Sequence, residues 1–157
     1  MIMLCKYQHT TDDIKYYKQN VGSLNITLNE KMRLVTLDEV WYIKQSTLIP
    51  HELKLEVKDV DLLVPPVVMS HCLRFLCYHH LNNIVNRQQS LRDLYLTIRE
   101  MDIGDGGCLS NSITILGVCK EIVGDKETAY YYYDHASRIE STVCYSTTER
   151  IVNLSMT

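Results

Sequence analysis

The chain has 157 residues, and its 46% hydrophobic and 22% charged residues are typical of a folded globular protein rather than a disordered one. A formal net charge of −3 leaves no basic excess, so we expect no nucleic-acid contact. Glycine and proline are too scarce for an all-β fold, and no apolar run reaches the roughly 18 residues of a membrane span, so we expect no membrane contact.

The cysteine pattern bears on the cellular compartment. Six cysteines would allow three disulfides in a secreted protein. However, the N-terminus MIMLCKYQ has too short an apolar run for a signal peptide, and the ordinary apolar content removes the need for covalent cross-links. We therefore expect reduced thiols, packed as small apolar side chains, in a cytoplasmic protein.

The N-terminal part is predicted to contain short helices. Over residues 9–28, apolar side chains recur at spacings of three and four, which predicts an amphipathic helix. Thr36 and Glu39 then form a capping-box pattern that opens a second, short helix. The apolar residues of that short helix are Val40, Trp41 and Ile43.

Prolines divide the next stretch. Pro50 stands at a plausible first helical position and predicts a further helical turn. The residues of that turn that we expect to be buried are Leu53 and Val57. Residues 58–65 are interpreted as a linker, because two prolines close the segment. Residues 67–85 are apolar or aromatic almost throughout, which predicts one helix of about five turns, followed by a turn at Asn86.

A further helix and a loop follow. Residues 88–101 have helical periodicity, and the residues on their apolar face are Leu91, Leu94, Tyr95 and Ile98. Residues 102–107 contain three glycines and two aspartates, which predicts a loop.

Two helices, over residues 110–123 and 126–140, are joined by a predicted tight turn at Gly124-Asp125. Their order of residues resembles the tetratricopeptide repeat, which has a Leu-Gly pair, a Gly-Asp turn and an alanine–aromatic–alanine series. The matching residues are Leu116, Gly117, Gly124, Asp125, Ala129, Tyr133 and Ala136. Lys120 and Ser141 depart from the family pattern.

Residues 71–102 align with this repeat more weakly, with Cys77-Tyr78 in place of the Leu-Gly pair. The fold expected from both segments is all-α and built of antiparallel helical hairpins, a tetratricopeptide-like right-handed α-solenoid. The expected parts are an N-terminal helical segment (1–64), two hairpins (65–141) and an irregular C-terminal tail (142–157).

A second resemblance covers residues 36–140. The runs VPPVVMSHCLRFLCYHHLNNIVNRQQSLRDLYLTIRE and ITILGVCKEIVGDKETAYYYYDHAS are similar to the C-terminal helical region of uncharacterised invertebrate proteins. Some of those proteins resemble the male-abnormal-21 family of nucleotidyltransferase-like proteins. The resemblance implies a helical repeat tail, in a short paralogue or in a fragment of a longer gene product. It implies no active site here, because the nucleotidyltransferase part of such proteins lies upstream.

Several chemical motifs are incomplete. Cys77 and His80 could share a helix face as metal ligands, and Cys108 and Cys119 are the only nearby candidates for the second half of a zinc site. We favour core cysteines and interfacial histidines over such a site. Residues 102–107 lack the closing glutamate of a calcium loop, and Gly22-Ser23 lacks the spaced carboxylates of a nucleotidyltransferase. We therefore expect no catalytic residue, no cofactor and no metal.

The leading functional hypothesis is a scaffold that binds a protein or peptide segment. By the tetratricopeptide resemblance, the groove residues would be Cys72, Phe75, His79, Asn82, Asn83, Asn111, Thr114, Val118, Glu121 and Ile122. Phe75 is equally interpretable as a core residue. Tyr131 and Tyr132 form a second candidate surface, because four consecutive helical tyrosines point to all sides. The alternative function is a regulatory helical tail of a nucleotidyltransferase-like protein of innate immune type.

Overall fold

The computed structural model describes residues 40–101, 106–139 and 145–155, which belong to one compact unit that begins at Val40. The predicted helix at 9–28 and most of the loop at 102–107 lie outside these residues. The described part is mostly helical, as predicted. Its elements are β1 (Val40–Tyr42), a 3-10 helix (His51–Val57), β2 (Leu62–Val64), α1 (Pro66–His80), α2 (Ile84–Arg99), α3 (Gly106–Ile122), α4 (Lys126–Ile139) and α5 (Tyr145–Ser155).

A short antiparallel ladder precedes the helices. β1 pairs with β2, and the register places Val40 opposite Val64 and Tyr42 opposite Leu62. The predicted short helix is therefore wrong over Val40–Tyr42, and the predicted linker contains β2. The capping-box pattern is a local signal, whereas the strand depends on a partner about twenty residues away. In β2 the side chains at positions 62 and 64 are buried and the one between them is half-buried, as expected for a strand with one face on the core.

The 3-10 helix brings residues 51–57 onto the main core. Pro50 directly precedes it, and Leu53 and Val57 are buried as predicted. Together with Leu62 and Val64 they share one hydrophobic core with the helices. The stretch that precedes α1 thus packs as part of the helical unit rather than as a separate segment.

The long helix predicted over 67–85 is interrupted. α1 ends at His80, and Asn82 adopts a left-handed backbone conformation with φ of 54°. Asn83 then caps α2, since its side chain accepts a hydrogen bond of 3.1 Å from the backbone N–H of Asn86. The turn therefore lies four residues before the one predicted at Asn86. Asparagine tolerates positive φ and is a good N-cap, so the two adjacent asparagines form a break that the apolar run conceals.

Helix α3 is the centre of the described unit. It contacts β2, the 3-10 helix, α1, α2 and α4, and every residue from 112 to 119 is buried. Its apolar side chains point to all sides, as expected of a central helix, and its buried Ser112 and Thr114 hydroxyls donate to backbone carbonyls of the same helix. α3 begins at Gly106, so the predicted loop is wrong for Gly106 and Gly107, which form its first turn.

The α3–α4 hairpin has the turn that the sequence predicts. Gly124 has a φ of 84°, a conformation that glycine adopts without strain, and nothing crowds its Cα. Asp125 caps α4, because its carboxylate accepts a hydrogen bond of 3.3 Å from the backbone N–H of Thr128. The side chains at positions 129, 133 and 136 of α4 are fully buried, as their spacing predicts.

The C-terminal segment is not irregular throughout. The predicted tail at 142–157 contains α5, which packs against α4. Its inner face includes Thr147 and Arg150, both buried, beside partly buried Ile151 and Leu154. These four residues have helical spacing, but two of them are polar, so a count of apolar residues misses the pattern. None of the described helices is long and apolar enough to cross a membrane.

Gly117 provides a test of the α3–α4 contact. A methyl group on Gly117 would lie 2.6 Å from Cε1 of the buried Tyr133 ring. We expect Gly117→Ala to lower the free energy of unfolding by about 1–3 kcal/mol through overpacking, despite the gain of about 0.5–1 kcal/mol in helix propensity. Chemical denaturation measures the change. The penalty should shrink in a Tyr133→Leu background, and an equal penalty there would contradict the contact.

Asp125 provides a test of the α4 cap. The hydrogen bond from Thr128 and the nearby Lys120 ammonium lower the pKa of Asp125 below its usual range. We expect Asp125→Ala to cost about 1 kcal/mol of stability at neutral pH. Because the pKa is lowered on folding, this contribution is complete above the unfolded pKa of about 4 and is lost as the pH falls through the folded pKa. Melting curves of the two proteins should therefore converge in acid; a constant difference would contradict the assignment.

Candidate functional site

The groove expected from the tetratricopeptide resemblance is not open. Phe75, Thr114 and Val118 are buried, with 2% or less of each residue exposed. β2 and the 3-10 helix pack against α3, and Asn111 donates a hydrogen bond of 2.9 Å to the backbone carbonyl of Leu63. The prediction of a groove is therefore wrong at Phe75, Thr114 and Val118, because residues 49–64 of the same chain cover α3. Cys72 is also buried, and Ile122 is partly buried against the core.

Glu121 belongs to an internal charged cluster, which we call the Arg150 cluster: Glu56, Glu121, Tyr133 and Arg150. The Arg150 guanidinium donates from Nε to Glu56 at 2.7 Å and from Nη1 to Glu121 at 2.8 Å. Its Nη2 donates to the backbone carbonyl of Glu52 at 3.1 Å. The cluster thereby joins α5, the 3-10 helix and α3.

Tyr133 connects α4 to the same cluster. Its hydroxyl donates a hydrogen bond of 2.6 Å to the Glu121 carboxylate, and the Arg150 guanidinium carbon lies 5.7 Å from the centre of its ring. Burial and the neighbouring Glu121 carboxylate raise the pKa of Tyr133 well above its usual range, so its hydroxyl remains a donor. Burial opposes the charge of Arg150, but the two carboxylates raise the pKa of Arg150 overall. Each carboxylate of the cluster accepts at least one internal hydrogen bond, so the cluster is a structural contact.

Two members of this cluster, Glu56 and Arg150, are not among the residues predicted from the sequence, although the sequence contains a signal for them. Glu56 lies between Leu53 and Val57 on a buried stripe with helical spacing. Arg150 occupies the corresponding position between Thr147 and Leu154. A charged residue on a buried stripe requires a charged partner, so these two residues could have been paired from their positions.

The three predicted site residues near the α1–α2 turn have mainly structural contacts. His79 is half-buried, stacks on Phe75 with ring centres 6.1 Å apart, and lies 3.4 Å from Nη1 of Arg87. Asn82 and Asn83 are exposed, and they supply the left-handed turn and the α2 cap described above. Their identity is thus explained by the turn.

The predicted tyrosines do lie at the surface. Tyr131 is 61% exposed, and its ring packs edge-on against that of the half-buried Tyr132, with centres 5.5 Å apart. Burial raises the pKa of Tyr132, and the nearby hydroxyls of Tyr95 and Tyr131 and the Asp125 carboxylate raise it further. We call Tyr95, Tyr131 and Tyr132 the tyrosine face. Sequence analysis placed Tyr95 on the apolar side of its helix, but 42% of this residue is exposed.

The candidate metal ligands are dispersed. Among the described residues, no three histidine, cysteine or acidic side chains come together as a possible metal site. Cys72 and Cys119 are buried with their sulfurs 3.9 Å apart, Cys108 is buried, and Cys77 is exposed. None of these four cysteines forms a disulfide. Burial, together with the Cys72 thiol, raises the pKa of Cys119 well above its usual range, so this thiol is a packing group rather than a reactive one.

Comparison with protein-family models, curated proteins and solved structures finds no match for this chain. The two resemblances therefore rest on the motifs quoted above and remain predictions.

Arg150 provides a test of the internal cluster. We expect Arg150→Ala to lower the free energy of unfolding by about 3–5 kcal/mol, because two carboxylates would be left without their buried counter-charge. Arg138 is the matched control, since it forms an exposed ion pair of 2.8 Å with Asp134. Arg138→Ala should cost less than about 0.5 kcal/mol. Similar losses for both variants, measured by urea denaturation, would contradict the role given to Arg150.

Proposed function

We propose that this chain is a helical module that recognises a segment of another protein, and that the contact is made by the tyrosine face. The observation that carries the proposal is the exposed Tyr131 ring packed against Tyr132 on α4. Tyr95 of α2 is also exposed, and it is near enough to raise the pKa of Tyr132. Tyrosine is enriched in protein interfaces because it offers a large apolar ring and a polar hydroxyl at a low cost in conformational entropy. Function here is thus assigned to binding rather than to catalysis.

Core packing does not account for the exposed Tyr95 and Tyr131, whereas Tyr132 packs partly against the core. Of the four consecutive tyrosines in α4, Tyr133 is the one that is fully buried. Tyr131 points outward, yet its ring is held between Tyr132 and His135, whose ring centre is 6.0 Å away. An exposed aromatic group that is already ordered loses little further freedom on binding, which favours affinity.

The helices that support the tyrosine face are held together by specific contacts. Because Gly117 has no side chain, the Tyr133 ring packs directly against α3. Asp125 caps the N-terminus of α4, seven residues before Tyr132. These features support the proposal that α3 and α4 are a tetratricopeptide-like hairpin. Binding would then use the outer side of α4, because the inner side of α3 is covered by residues 49–64.

The chemistry of the face favours a segment with one or two apolar side chains and flanking polar groups. The rings supply the apolar contact, while the tyrosine hydroxyls, His135 and Asp125 supply hydrogen-bonding groups around it. An apolar centre with a polar rim is the usual arrangement of a reversible protein interface. Either an extended segment or a helical segment could present such a pattern.

The test is site-specific cross-linking. The photoreactive residue benzoylphenylalanine is placed at position 131 in one protein and at position 130 in another, and the cross-linked products from cell extract are identified by mass spectrometry. Tyr130 is a matched control, since it is 47% exposed but lies about 160° away from Tyr132 around the helix. We expect a discrete protein product from position 131 and not from position 130.

Alanine variants give the quantitative readout. Once a product is identified, Tyr131→Ala and Tyr95→Ala should each weaken its binding about tenfold or more, whereas Tyr130→Ala should have little effect. All three are exposed, so melting temperatures should remain unchanged. Equal cross-linking from both positions, or equal affinity for all three variants, would reject the tyrosine face.

A further inference from the structure

The α1–α2 turn exposes aliphatic side chains that the fold does not use. Every residue from 80 to 86 is exposed, which shows that this end of the hairpin protrudes. Leu81, Ile84 and Val85 are 73%, 57% and 76% exposed, and they lie within five consecutive positions. We call these three residues the aliphatic tip. Single exposed aliphatic residues are common, but a cluster at a protruding turn marks a contact surface.

The turn is built by other residues. Asn82 provides the left-handed conformation, and Asn83 caps α2. The backbone N–H groups of residues 81, 82 and 83 donate hydrogen bonds of 2.9–3.0 Å to the carbonyls of residues 77, 79 and 78. These bonds hold the turn in one conformation without any contribution from the aliphatic side chains, which are therefore available to a partner.

The charged residues in the sequence around the tip are basic. Residues 62–92 contain no aspartate or glutamate but three arginines. Arg74 is paired with Asp93, whereas Arg87 has no carboxylate partner among the described residues. The Nε of Arg87 is buried without a hydrogen-bond partner there. Glu52 of the 3-10 helix is an acidic side chain close to the tip, and its carboxylate is engaged 3.0 Å from Nε2 of His80. The Arg87 guanidinium contacts His79 but no carboxylate among the described residues, so its charge is complementary to an anionic surface.

We propose that the aliphatic tip binds the surface of a membrane that contains anionic lipids. The three aliphatic side chains enter the boundary between headgroups and acyl chains, and Arg87 contacts lipid phosphate or carboxylate. A protruding tip fits a fluid lipid surface, which adapts to its shape, whereas a protein partner would need a matching pocket. The tip also lacks the exposed aromatic anchor that usually dominates a protein interface.

This proposal is independent of the tyrosine face and does not require a membrane span. The expectation of no membrane contact was drawn from the lack of a long apolar run, which excludes a span but not attachment at the surface. Three aliphatic side chains and one charge give weak and reversible binding, comparable to that of a single lipid anchor.

The experiment is vesicle sedimentation with the full chain. Vesicles of phosphatidylcholine alone are compared with vesicles of equal parts phosphatidylcholine and phosphatidylserine. We expect partitioning to the mixed vesicles, weakened by added salt. Arg87→Gln should lower the partition coefficient about fivefold, and the double variant Leu81→Ser/Val85→Ser more than about tenfold. Leu48→Ser is the control, because Leu48 is 77% exposed but lies outside the tip.

The substituted side chains of the tip are exposed, and circular dichroism of each variant checks that the helices are retained. The proposal is overturned if the chain does not partition to the mixed vesicles, or if Leu48→Ser reduces partitioning as much as the tip variant does. A dimer that forms without lipid and is lost in the tip variant, with no vesicle binding, would assign the tip to protein contact and also overturn it.

Discussion

The buried guanidinium of Arg150 is the contact on which the arrangement of the described unit depends. Its planar group reaches two carboxylates and one backbone carbonyl, and these acceptors lie on the 3-10 helix and α3. Removing such a group from water is costly unless its donors and their acceptors are matched. These hydrogen bonds restrict α5 to one position. Apolar packing alone would define the position of α5 less strictly.

Tyr133 links this electrostatic constraint to helix packing. The ring that occupies the space above Gly117 is the same ring whose hydroxyl bonds to Glu121. A shift of α4 along α3 would therefore disturb both a close contact and a hydrogen bond. Two signals that are separate in the sequence, a small residue on one helix and a tyrosine on the next, thus act through a single side chain.

Sequence patterns predicted the parts of the fold that depend on nearby residues. The α3–α4 hairpin follows from a glycine turn, a capping aspartate and an alanine–tyrosine–alanine stripe, all within thirty residues. The β1–β2 ladder was missed because Val40 and Val64 become a pair only when the intervening chain folds back. α5 was missed because Arg150 and Thr147 occupy positions where an apolar side chain is the usual guide. The break at Asn82 was hidden by apolar residues on both sides.

The candidate site was predicted in part for the same reason. A run of four tyrosines in a helix must expose some of them, so Tyr131 could be recognised from the sequence alone. That Tyr95 would lie near Tyr132 depends on how the two helical hairpins are arranged, which no local pattern encodes. The expected groove failed because the tetratricopeptide comparison considers helices alone, whereas here residues 49–64 cover α3.

The sequence distance spanned by the Arg150 cluster has a consequence for biosynthesis. Arg150 bonds to Glu56, 94 residues earlier, and to the backbone of Glu52, 98 residues earlier. On the ribosome, at about 5–20 residues per second, Glu56 emerges seconds before its counter-charge exists. During that interval no counter-charge offsets the cost of burying the Glu56 carboxylate, and the 3-10 helix lacks its contact with Arg150. The hairpins can form early from local contacts, but closure of this unit is a late step that waits for α5.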